Sequence, residues 1–211
     1  MPKAGTYSTS KTRKIQVPDY ITLRANAERE VKDELGGFAR PDDRVARAAE
    51  IIRQADVEIA THIDDRDAAA ASLWFYEHTT GLARILGLYP TAYRSILYKA
   101  LYGVHWQGWK EGDPFPKELP TNLSREELVS LAEQQNVPRI EDAAQRLPEL
   151  ARVVAVAKAR RAAAMPFMQD AALALSEPPY DWDGEKIANH AGIAVSLVWA
   201  HWAAARKRQR S

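Results

Sequence analysis

Between Pro41 and Thr79 the sequence contains no glycine and no internal proline, and its apolar residues recur periodically throughout. A breaker-free stretch of this kind predicts one helix of about three dozen residues, and a helix that long needs a partner along its length. Pro41-Asp42-Asp43 opens it, with carboxylates at the positive end of the helix dipole, and Thr79-Thr80-Gly81 closes it. The register follows a heptad. Val45, Ile52, Ile59 and Leu73 share one position, which Arg66 interrupts, and Ala48, Ala55, His62, Ala69 and Tyr76 share the other. Alanine along one seam lets another helix approach closely, so a coiled-coil partner is expected. It is either the first helix of the same chain or the same helix of a second chain.

The rest of the chain reads as helices and connectors. Residues 1–17, rich in Ser, Thr, Lys and Arg, predict a basic flexible tail. Residues 18–103 form an N-terminal helical domain, whose first helix carries Ile21, Leu23, Ala27, Val31 and Leu35 and stops at Gly36-Gly37. Residues 104–121, with their prolines and glycines, predict a linker or long ordered loop, and Trp106, Trp109 and Phe115 favour its docking on something. Residues 122–211 form a C-terminal helical domain. There Ser124 and Glu127 make a capping box, and a long helix runs from about Glu149 to Leu175 with a kink at Pro166. No window alternates apolar and polar residues with β-branched enrichment, so no sheet is predicted and the class is all-α.

Composition closes off several function classes. With no cysteine among 211 residues, disulfide frameworks, zinc fingers, iron–sulfur ligation and a thiol nucleophile are excluded. A mean hydropathy of −0.41 argues against a membrane protein, and the basic start has no apolar run behind it, so a cytoplasmic location is expected. Glu58 and His62 lie one turn apart, but His62 falls on the apolar seam and no second ligand pair has compatible spacing, so no metal or other cofactor is expected. No phosphate loop or nucleophile elbow is present, and an enzyme is not expected. The net charge of +1 conceals an alternation: residues 1–40, 71–110 and 151–211 carry an excess of basic residues, and 41–70 and 111–150 an excess of acidic ones. Local basic faces are therefore compatible with a nearly neutral chain.

The most informative pattern lies near the C-terminus. In Asp183-Gly-Glu-Lys-Ile-Ala-Asn-His-Ala-Gly-Ile-Ala-Val-Ser-Leu-Val-Trp-Ala-His-Trp, Ile187 and Ala188 face inward and Gly192 permits a sharp turn. Ile193 plugs the corner, and Val198 and Trp202 return to the core. Over residues 183–208 this resembles the helix-turn-helix DNA-binding superfamily. The same template fits residues 80–103, with Leu82, Ala83, Gly87, Leu88 and Tyr93 in the corresponding places. Alanine-rich stretches from Asp67 and from Asp170 precede the two units, which points to an internal duplication.

The resemblance implies that the helix after each turn enters the major groove of double-stranded DNA. In the first unit its outward residues would be Thr91, Arg94, Ser95 and Lys99, flanked by Tyr98, with Arg94 suited to guanine. In the second unit Val195, Ser196 and Trp199 would face outward, without a forked donor among them, which makes it the weaker reader. Arg206, Lys207, Arg208 and Arg210, with Lys11, Arg13 and Lys14 of the tail, suit phosphates. The expectation is a sequence-specific DNA-binding protein, a transcriptional regulator of bacterial type, nucleoid-associated when bound and homodimeric through the long helix. The rival from another class is a protein-interaction adaptor that uses the same fold to hold a partner protein.

Overall fold

The computed structural model describes residues 6–9, 13–105, 109–114, 116, 118–120 and 122–210. Its first element departs from the expected free tail. Strands β1 (Thr6–Thr9) and β2 (Arg13–Gln16) pair antiparallel, Tyr7 opposite Ile15 and Thr9 opposite Arg13. Ile15 and Val17 are both buried. These two residues, two apart, occupy one face of an extended chain, a short apolar period outweighed in the sequence by the polar residues around it.

Helix α1 (Tyr20–Gly36) buries Ala27, Val31 and Leu35. Helix α2 (Pro41–Phe75) is the predicted long helix, with Asp42 and Asp43 in its first turn. Val45, Ala48, Ala55, Ala69 and Leu73 of the heptad register are buried, as is the interrupting Arg66 at 4% exposure. Helices α3 (Leu82–Ile85) and α4 (Pro90–Tyr102) follow, then α5 (Arg125–Gln134), whose capping box forms as predicted: Glu127 N–H donates to Ser124 Oγ and Ser124 N–H to Glu127 Oε2.

Helix α6 (Ala143–Leu175) begins earlier than expected and contains both Pro148 and Pro166. Its first turn is nucleated by the Asp142 carbonyl, which accepts from the N–H groups of Gln145 and Arg146. Burial of Ala143, Ala144 and Leu147 then holds the turn that precedes Pro148, and tertiary packing overrides the local breaker. Helices α7 (Gly184–Ala191) and α8 (Val195–Gln209) complete a fold that, apart from the short hairpin, is helical among the described residues.

The chain divides into two units, residues 1–20 with 60–154, and residues 21–59 with 155–211. The second contains α1, the start of α2, the end of α6, α7 and α8. Its core joins Val31, Leu35, Val45 and Ala48 to Ala164, Met168, Ala172, Ile187 and Val198. Arg161 Nε to Asp56 (2.6 Å) and Arg160 to Glu58 (3.8 Å) flank the same packing. The first half of α2 is thus covered by α1 and by α6 of its own chain, and α6 was not among the partners its register suggested. The other unit contains the hairpin, the end of α2, α3, α4, α5 and the start of α6, with Ala71, Phe75, Leu97, Leu101, Ala132 and Val137 in one cluster.

The element order α1-α2-α3-α4 recurs as α5-α6-α7-α8. Along the long helices the two halves align in sequence at a constant displacement of 102 residues, Val45 with Leu147 and Leu73 with Leu175. At that displacement Ala49/Ala151, Ala55/Ala157, Ala69/Ala171 and Ala70/Ala172 are identical and buried in both copies. Each unit takes the end of a long helix and the helix pair after it from one half, and from the other half the first helix and the start of its long helix.

Candidate nucleic-acid interface

Helix α7 starts from Asp183, whose carboxylate accepts from Lys186 N–H at 2.7 Å. Ile187, Ala188 and Ala191 are buried, and the chain then turns through Gly192 at φ 66°. Ile193 N–H returns to the Ala188 carbonyl at 3.0 Å. Val198 is buried, and Trp202 Nε1 donates to the Ala172 carbonyl at 2.9 Å, tying α8 to α6. Ile187, Ala188 and Val198 are buried as expected, Ile193 and Trp202 are half-buried, and Ala191, His201 and Ala205, not assigned inward from sequence, are buried with them.

The positive φ of Gly192 is the turn geometry expected from the sequence, and a contact from outside the helix pair adds a second reason for glycine there. A Cβ on Gly192 would come 3.0 Å from Arg53 Nη1, and that guanidinium donates to the Ala191 carbonyl at 3.1 Å. His190 Nε2 lies 3.1 Å from the Asp42 carbonyl, which can only accept, so that nitrogen carries the proton. Nothing in the pattern of residues 183–208 signals Arg53, which stands on α2 far away in the chain.

The outward side of α8 is open. Ser196, Leu197, Trp199, Ala200 and Ala203 are exposed, Leu197 at 48% and Trp199 at 60%. Gly184 leaves room for the Trp199 indole, whose Nε1 would sit 3.1 Å from a Cβ there. Val195 is half-buried, its Cγ1 beside the same glycine. On the inward side, burial pushes the His201 imidazole below its ordinary pKa.

The first helix pair repeats the turn but not the open face. Gly87 has φ 63°, Leu88 N–H donates to the Ala83 carbonyl at 2.8 Å, and Tyr89 caps α4 without a side-chain bond. A Cβ on Gly87 would meet the Tyr20 ring at 2.7 to 2.8 Å, and Tyr20 Oη donates to the Ile85 carbonyl. Thr91 and Arg94 are exposed, as expected. Ser95, expected outward, and Tyr98, expected to flank, are instead buried at 9% and 1% exposure, because the whole turn from Ser95 to Tyr98, directly after Arg94, is covered by its unit. The Tyr98 ring meets Tyr102 edge-on with centroids 4.8 Å apart. Lys99 reaches Asp64 of α2 at 3.5 Å.

Among the basic residues, Arg206, Lys207, Arg208 and Arg210 are exposed at the end of α8. Arg208 is held by Asp170 at 2.7 Å and by Gln169, so it is engaged within the chain. Arg13 and Lys14 lie in β2, and Lys11 lies outside the described residues, as do Trp106 and Phe115. No helix among the described residues is long and apolar enough to cross a membrane. No family model, curated protein or solved structure matches this chain.

Proposed function

We propose that the chain binds double-stranded DNA through a helix-turn-helix unit formed by α7 and α8, as a regulator of transcription would. One observation carries this reading: α8 is packed on one side by Val198 and Trp202 and leaves the opposite side open along its length. That open side runs from Ser196 through Trp199 to Arg206 and Arg210, and α8 contains no carboxylate. A helix of this kind can lie in a major groove and place its last turn's guanidinium groups against phosphates.

The order of importance assigned from sequence is reversed in this proposal. With Ser95 and Tyr98 buried, α4 offers only its first turn, Thr91 and Arg94, as an auxiliary contact. Of the two partners the α2 register allowed, α1 of the same chain packs on its first half, together with α6, so the proposed site is drawn from one chain. The test is fluorescence anisotropy of labelled duplex DNA across a salt series. Binding should weaken steeply with salt, and the double variant Arg206→Gln, Arg210→Gln should reduce the slope of log K against log salt by about two. Absence of binding at low salt overturns the reading.

A protein-interaction adaptor is the second reading, and a specific observation favours it. Leu197 and Trp199 are both exposed apolar side chains of α8, and Asp183 and Glu185 place carboxylates at the start of α7, on either side of the Gly184 that Trp199 lies against. Phosphates repel such carboxylates, whereas a partner protein can pair with them. Loss of partner capture in Trp199→Ala, without any DNA affinity in the parent chain, is the outcome that selects the adaptor.

A further inference from the structure

We propose that α8 recognises thymine methyl groups, so that the DNA this chain selects carries A·T base pairs beneath the first two turns of α8; the proposal rests on the DNA-binding reading above. The outward residues over those turns are Ser196, Leu197, Trp199, Ala200 and, one turn on, Ala203. They present hydrocarbon, an indole and a single hydroxyl. None offers the paired donors of Arg or the donor-and-acceptor amide of Asn or Gln that distinguish guanine and adenine edges.

In the major groove the thymine C5-methyl is the one apolar group that a base edge offers. An apolar helix face gains by covering it and loses wherever it strips water from guanine O6 or cytosine N4 without replacing the hydrogen bond. Adenine N6 and thymine O4 lose water at a similar cost, so discrimination on this surface comes from the gain over the thymine methyl. The two alanines allow the helix axis close to the bases, and Ser196 can bond to either pair.

The geometry also holds the largest contact in place. The Trp199 indole lies against Gly184, where no side chain displaces it, and yet remains 60% exposed. A large ring already held at one edge loses little freedom on binding. Farther along α8, Arg206 and Arg210 stand where they supply affinity without reading sequence.

The experiment begins with selection of duplexes from a random pool by the full chain, followed by anisotropy on the winning site with each thymine replaced by uracil, which removes only the methyl. The expected result is a T-rich segment in the selected site and a loss of about fourfold in affinity per covered methyl. The salt slope should be unchanged, because no phosphate contact is altered. Trp199→Ala should bring thymine and uracil duplexes closer in affinity. Equal affinity of the parent chain for the two duplexes, or a selected site made only of G·C pairs, overturns the thymine proposal while leaving DNA binding intact. Failure to bind any duplex at low salt overturns both.

Discussion

The two turn glycines are under different constraints, and this separates their variants. Any L-residue at Gly87 or Gly192 is forced to positive φ, which costs about 1–2 kcal/mol. At Gly192 the added methyl meets the far end of Arg53, which can move aside. At Gly87 it meets the Tyr20 ring, held by its own bond to the Ile85 carbonyl. Gly87→Ala should therefore lose about 3 kcal/mol or more by urea denaturation and Gly192→Ala about 1–2. His201 gives a second prediction at this scale. Its ordinary pKa is 6.5 and burial lowers it in the folded state, so between the two values the unfolded chain binds more protons. This contribution is complete above about pH 7 and is lost as pH falls below 6.5. His78 acts in the same direction. Urea midpoints should drop between about pH 7.5 and pH 5.5, less steeply for His201→Gln. Asp42, lowered by Arg40, and Glu50, lowered by Arg53, act only at more acidic pH, around and below their ordinary 3.8 and 4.5.

At the scale of the element, α2 and α6 align at a displacement of 102 residues, and their difference at a single buried position is informative. Arg66 stands where α6 has Met168. Its guanidinium is held by Asp67 at 2.6 Å, and Asp67 keeps 20% of its side chain exposed. Arg66→Met inserts the residue that the other copy already accommodates, and the carboxylate left behind retains water. Stability should change by no more than about 1 kcal/mol. Arg66→Ala leaves a void on the α2 seam and should cost about 2–3 kcal/mol. Urea midpoints of the two variants decide this, and a large loss in Arg66→Met would show that the ion pair itself holds the seam.

For the whole molecule, the division into units does not follow the chain. Each unit draws on residues from both sides of the segment 104–121. A single cleavage in that segment, for example at an introduced protease site, should leave the two fragments eluting together at the size of the intact chain. They should separate only in denaturant. Fragments that part under native conditions would contradict the exchange of long-helix ends between the halves.

The all-α class, the long helix, the capping box at Ser124 and both glycine turns were legible in the sequence, because each depends on neighbours within one or two turns of chain, whereas of the heptad register Ile52, Ile59, His62 and Tyr76 are only half-buried. The paired templates suggested a correspondence between the two halves, and which alanines are buried shows where the long helices align. What covers the α2 seam was not legible, since an apolar stripe specifies a partner's surface without specifying which helix supplies it. For the same reason Ser95 read as outward and Tyr98 as flanking it. Helical period fixes which residues share a face, and only the other elements decide whether that face meets water. Tyr20 and Arg53 carry no local signal, because the contacts that give them a role at the two turns join segments far apart in the chain. Local chemistry determined the elements and their turns, whereas burial, which depends on the whole chain at once, decided that α8 and not α4 presents the open face.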